Sequence, residues 1–181
     1  MANFADNSRD RVLITVAGLA PDLDGIGIVP ELLTAKSSHP LMWFSNYHHV
    51  LGHNIGFALV VILVAYFLAR KKWMTVLLVA ASFHLHLLCD LIGARGPDGY
   101  QWPIPYLLPF SDSAQWVWSG QWMLNAWPNF VFTFALLIAT FNLAWRRGFS
   151  PLEMFSGHAD REFVSALRKR FGAINPPTIQ V

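Results

Sequence analysis

Phe83-His84-Leu85-His86-Leu87-Leu88-Cys89-Asp90 sets two histidines and an aspartate inside a run, Met74 to Ile92, built mostly of Leu, Val and Ala. A run of that length and apolarity suits a helix within a bilayer. Ionisable groups are costly in such a setting, so they call for partners and often mark a function. His86 and Asp90 are four apart, which puts them on one helix face, one turn from each other. An imidazole and a carboxylate so placed can ligate a divalent cation. Cys89 between them reads as a small packed hydrophobe.

Composition supports the membrane reading. The 181 residues are 54% hydrophobic and 13% charged, against a charged fraction of roughly 25% in soluble domains. Fourteen Phe and eight Trp are many for this length, and Trp favours the membrane–water interface. A net charge of +2 argues against a nucleic-acid partner. A single cysteine excludes an intrachain disulfide and a cysteine-rich zinc site. The N-terminal run Val12 to Ala20 is preceded by Asp6 and Asp10 as well as by Arg9 and Arg11, which is not the basic leader of a cleaved signal peptide.

Outward from the quoted stretch, the expected fold is all-α: an integral membrane helical bundle with about three full spans. The spans are Val50 to Ala69, Trp73 to Ile92 and Pro128 to Trp145. Arg11 to Ala20 is too short to cross, since ten residues make roughly 15 Å of helix, and is expected to be buried or half-inserted. Pro21 ends it. Gly93 to Trp127 is a Pro- and Trp-rich excursion. Beyond Arg146-Arg147-Gly148, the recurrence of Phe163, Leu167 and Phe171 beside Arg168, Lys169 and Arg170 fits a C-terminal surface helix on anionic lipid, or a plain amphipathic one. The expected division is a membrane-embedded metal-binding domain over 1–148 and a polar tail over 149–181.

Arg70-Lys71-Lys72 and Arg146-Arg147 close spans on the same side, which the positive-inside rule makes cytoplasmic. His48, His49 and His53 precede the first span, and His86 and Asp90 end the second. Both groups therefore belong at the outer end, as does the acidic turn Pro21-Asp22-Leu23-Asp24-Gly25 if the first helix does not span. Carboxylates with imidazoles and no thiolate suit Zn²⁺, Mn²⁺ or Fe²⁺, as one ion or two. A two-metal site would hold an attacking water and stabilise a leaving phosphate oxygen.

Pro21-Asp22-Leu23-Asp24, then His48 and His53, then His86-Leu87-Leu88-Cys89-Asp90 resembles the YdjM-like family, membrane-bound metal-dependent hydrolases also described as LexA-binding inner-membrane proteins. The family pattern is Pro-Asp-x-Asp, then His-Arg-Gly-x-Thr-His-Ser, then His-x-x-x-Asp, and the family is similar to zinc-dependent phospholipase C. The resemblance covers about residues 12 to 111. This chain departs from the pattern with His49-Val50 in place of Arg-Gly and Gly52-His53-Asn54 in place of Thr-His-Ser, and no histidine precedes His39.

The resemblance implies an inner-membrane, multi-pass enzyme whose metal ligands are Asp22, Asp24, His48, His53, His86 and Asp90, with zinc as the favoured metal. It selects His48 and His53, although His49 and His53 have the better helical spacing; His49 is then a substitute or supporting group. The implied substrate is a phosphoester of a membrane lipid or lipid-linked molecule. Asp24 is a candidate base, and His49 and Arg95 are candidates to steady an anionic group. Two other classes remain open. His53 and His86 on adjacent spans would serve as axial ligands of a haem, and a non-catalytic membrane interaction protein would use the same groups for interhelical hydrogen bonds.

Overall fold

The computed structural model describes residues 1–96 and 98–172. Among them it has seven α-helices and no strand, only two isolated bridges, Arg95 to Met123 and Ile104 to Trp116. The helices are α1 (Ser8–Ala17), α2 (Ile28–Thr34), α3 (Trp43–Tyr47), α4 (Ile55–Leu68), α5 (Lys72–Gly93), α6 (Trp127–Arg147) and α7 (Gly157–Phe171). Residues 173–181 of the expected polar tail lie outside the described residues. The chain forms two compact units, Met1–Ala126 and Trp127–Val181, so α6 belongs with the tail.

The all-helical membrane architecture is as expected. Among the described residues two helices, α5 and α6, are long and apolar enough to cross a membrane. A third candidate is the pair Ser8–Ala17 and Pro21–Thr34, bent by 58° at its break. The expected first span is shorter than its apolar composition suggests. Asn54, in extended backbone, accepts a hydrogen bond from Phe57 N at 2.8 Å and so caps α4. Residues 50–54 are thereby withheld from the helix. The remaining 14 residues make about 21 Å of helix, short of a hydrocarbon core of about 30 Å.

In the first unit α5 is central, with α1 and α4 packed on it. Thr75, Val79, Phe83 and Leu87, each four apart, form its buried stripe. Ala58 and Ala65 of α4 meet that stripe, as do Ile14 and Ala17 of α1. Alanine at these contacts lets the backbones approach closely, which is how apolar helices associate where lipid competes for side chains. Cys89 is exposed, not packed as its composition suggested.

At one end of α5 the fully buried Asp10 holds α1 against the α4–α5 turn. Its carboxylate accepts from Arg70 N at 2.8 Å, Lys71 N at 3.0 Å and Asn7 Nδ2 at 2.8 Å. At the other end, Pro21–Gly27 forms a 3₁₀ turn, and residues 98–126 fold irregularly. Tyr106 stacks on Trp116 at 3.9 Å and meets His84 Nε2 at 2.8 Å.

Candidate metal centre

Three segments converge at the C-terminal end of α5: the 3₁₀ turn after α1, the loop between α3 and α4, and the last two turns of α5. Each is shaped by its local sequence. Pro21 starts the turn that carries Asp22 and Asp24. The 48–54 loop is set by the Asn54 cap, whose Nδ2 also donates to Val50 O and Leu51 O. Within it His49 has φ 66°, the left-handed region that non-glycine residues rarely occupy. Helical spacing aligns His86 with Asp90.

Asp90 Oδ2 lies 3.2 Å from His53 Nε2 and 3.1 Å from His86 Nε2. Asp22 Oδ1 lies 3.4 Å from His86 Nε2 and 3.8 Å from His53 Nε2. None of these approaches has hydrogen-bond geometry at the buried atoms: His53 Nε2, His86 Nε2 and Asp90 Oδ2 are shut off from solvent and lack a hydrogen-bond partner, as does His49 Nδ1. Leaving such atoms unpaired is costly. Ligands 2.0–2.1 Å from a tetrahedral cation stand about 3.3 Å apart, close to the separations here. The donor set is imidazole and carboxylate without sulfur, a combination that zinc, manganese and iron accept. Asp22, His53 and His86 form one group that could hold a metal ion; His49, His53 and Asp90 form another, sharing His53.

Asp24 and His48 belong to neither group. The Asp24 side chain is 2% exposed, yet it is fully engaged. It meets His48 Nδ1 at 2.8 Å, accepts from Gly52 N at 2.8 Å and lies 3.3 Å from His53 Nδ1. A carboxylate on one ring nitrogen directs the other toward the centre, fixing tautomer and ring orientation. Gly52 is required for this approach, since a Cβ there would lie 2.0 Å from Pro21 O.

Rings close the inner side. His49 stands 4.3 Å from both His48 and His53, Phe44 stacks on His48 at 4.5 Å, and Trp102 meets His48 and His49 edge-on at 5.2 and 4.8 Å. Burial, reinforced by the charges of His53 and His48, lowers the His49 imidazole from 6.5 to about 4. Burial pushes His53 down too, but the carboxylates of Asp24 and Asp90 outweigh it and the net shift is upward. His49 therefore stays neutral, as a ligand must.

His84 stands apart: Nδ1 is 2.8 Å from Ala80 O and Nε2 is 2.8 Å from Tyr106 Oη. Arg95 pairs its backbone with Trp122 and Leu124, and its Nε is buried without a hydrogen-bond partner. Phe44, Gly52 and Trp102 also shape the centre, beyond the residues whose types pointed to it. Only Gly52, next to His53, was marked by its position.

A model of the YdjM inner membrane protein family matches residues 2–163. The chain belongs to that family. No curated protein and no solved structure gives a significant match. The family match spans both compact units and embraces every residue of the centre. It agrees with the apolar helices in making this a membrane protein.

Proposed function

We propose that this YdjM-family protein is a membrane-bound metal-dependent hydrolase acting on a phosphoester of a lipid or lipid-linked substrate. The observation that carries the proposal is the convergence of His53 Nε2, His86 Nε2 and Asp90 Oδ2, buried and without hydrogen-bond partners, beside Asp22. Asp22, His53, His86 and Asp90 hold the cation, with zinc the favoured ion. His49 offers another donor beside them, in the group it forms with His53 and Asp90. A bound divalent cation supplies Lewis acidity, which makes a water acidic near neutral pH and offsets charge on a phosphoryl oxygen.

The chain's own groups do the rest. Asp24 keeps the proton of His53 on Nδ1, so Nε2 presents its lone pair. Asp22, 55% exposed at the side chain, is open to solvent; with one oxygen on the cation, its other oxygen serves as proton acceptor for an attacking water better than the enclosed Asp24. Phe44 and Trp102 exclude bulk water from the His48–His49 side, which strengthens every charge interaction within. The centre lies at the end of α5 remote from Lys71 and Lys72, so the positive-inside rule turns it outward from the cytoplasm.

A haem fits less well. The two nitrogens that would be axial ligands both lie within 3.2 Å of Asp90 Oδ2, which leaves no room for a macrocycle between them. The test is hydrolysis of a chromogenic phosphodiester and of phospholipid by purified protein, before and after chelation. Activity lost with chelator and restored by Zn²⁺ or Mn²⁺ supports the proposal. A Soret band in the purified protein, or turnover indifferent to chelation, contradicts it.

A further inference from the structure

The unit Trp127–Val181 carries a second feature, unrelated to the metal centre. α6 ends in Arg146 and Arg147, and basic residues closing a span mark the headgroup level. Gly148, at φ +81°, turns the chain there. Buried Asp160 then accepts from Ser150 N and Ser150 Oγ, both at 2.6 Å, which ties the connection to the first turn of α7. Phe163 packs edge-on against Phe141 at 5.3 Å, and Arg168 Nε donates to Trp145 O at 3.3 Å. α7 is thus held beside the end of the span.

The two flanks of α7 differ in chemistry. One borders a cavity of about 460 Å³ lined by Gly148, Arg161, Val164, Ser165, Arg168 and Lys169. Positions 161, 165 and 168 share a helix face, with 169 at its edge, so three cations and a hydroxyl face one space with no acid in its lining. The other flank borders an apolar cleft of about 620 Å³, where Leu167 and Phe171 oppose Phe134, Leu137, Ile138 and Phe141 of the span. A cationic pocket at headgroup depth beside a cleft running along a span matches an amphiphile. The cleft is what favours a lipid-borne phosphate over a free one.

We propose that the cavity between Gly148 and the Arg161–Lys169 face of α7 binds the phosphate of an anionic phospholipid headgroup. Cations at a membrane surface each strengthen attraction to acidic lipid by about 5.4-fold, so removing two weakens binding about thirtyfold. The experiment uses the full chain, delipidated in neutral detergent, titrated with phosphatidylglycerol, phosphatidylcholine or sodium phosphate and read by native mass spectrometry. Arg161→Gln with Lys169→Gln spares Arg168 and its bond to Trp145. Arg147→Gln with Arg170→Gln removes the same charge outside the cavity lining.

The expected result is retention of phosphatidylglycerol over phosphatidylcholine, falling about thirtyfold in the Arg161→Gln, Lys169→Gln protein, with helical content unchanged. The Arg147→Gln, Arg170→Gln protein should lose much less. Equal retention of the two lipids, equal losses in the two double variants, or displacement of the lipid by millimolar phosphate would each overturn the proposal. If the first double variant loses helical content, Ser165→Glu takes its place; it sets a negative charge in the cavity, and unchanged phosphatidylglycerol retention there would overturn the proposal equally.

Discussion

The Asp24 carboxylate lies 3.3 Å from Nδ1 of His53, on the opposite side of the ring from Nε2, which faces Asp90 at 3.2 Å. One aspartate thus sets the direction in which the histidine offers its lone pair. Asp24→Ala should leave the candidate ligands in place but free the His53 ring to rotate or change tautomer. Loss of such an orienting partner costs about 10- to 100-fold in metal affinity. Competition with a chromophoric chelator measures it; affinity equal to wild type would show that Asp24 does not orient the ring.

Gly52→Ala tests the same contact from the backbone side. The added methyl would lie 2.0 Å from Pro21 O, so the loop or the turn has to move. Overpacking of this kind costs about 1–3 kcal/mol. The melting temperature in detergent should fall, and metal affinity should fall with it because Asp24 loses the Gly52 N–H. A variant as stable as wild type would mean that the loop relaxes freely.

His49 makes the metal-free protein acid-sensitive. Its pKa drops from 6.5 to about 4 in the folded state, mainly through burial. Between those values the unfolded chain binds the extra proton, so stability rises with pH across the window and falls as pH drops through it. The effect is on the order of 3 kcal/mol at most. His49→Asn, which tolerates the left-handed backbone, should flatten the stability profile between about pH 4 and 6.5. Because the comparison is with wild type at each pH, the opposite contribution of His53, whose raised pKa favours folding on the acid side, cancels. Parallel wild-type and variant profiles would rule out a neutral buried His49.

Asp10 offers a control remote from the centre. Asp10→Ala strips the acceptor from Arg70 N, Lys71 N and Asn7 Nδ2. Hydrogen bonds to a charged group contribute about 1.5–3 kcal/mol each, and buried donors left unpaired add to the loss. Thermal unfolding should show a cost of at least about 2 kcal/mol, while metal stoichiometry of the folded fraction stays at the wild-type value. A loss of metal as well would mean that the two ends of α5 are coupled.

Much of this fold was legible in the chain itself. The apolar runs ending in Arg70-Lys71-Lys72 and Arg146-Arg147 announce apolar helices without any structure, although the first of them is too short to cross a membrane. The four-residue step from His86 to Asp90 puts both on one face. Less legible was where α4 begins: Val50 and Leu51 are apolar enough to extend it, and only the Asn54 cap withholds the loop that bears the histidines. Least legible was the division of labour within the cluster. Asp22 and Asp24 look alike in sequence, yet one faces His86 while the other is enclosed by His48, Gly52 and His53. Trp102 comes from about 50 residues beyond the histidines it touches, and no local pattern links it to them.

The central claim is that Asp22, His53, His86 and Asp90 hold a divalent cation. Elemental analysis of protein purified without chelator tests it most directly, with the His86→Ala, Asp90→Ala protein alongside. The account predicts at least about one equivalent of zinc, manganese or iron in the wild-type protein, since imidazole and carboxylate donors suit these ions, and loss of most of it in the variant. A wild-type protein that carries no transition metal, and takes none up from Zn²⁺ or Mn²⁺ added at neutral pH, would contradict it.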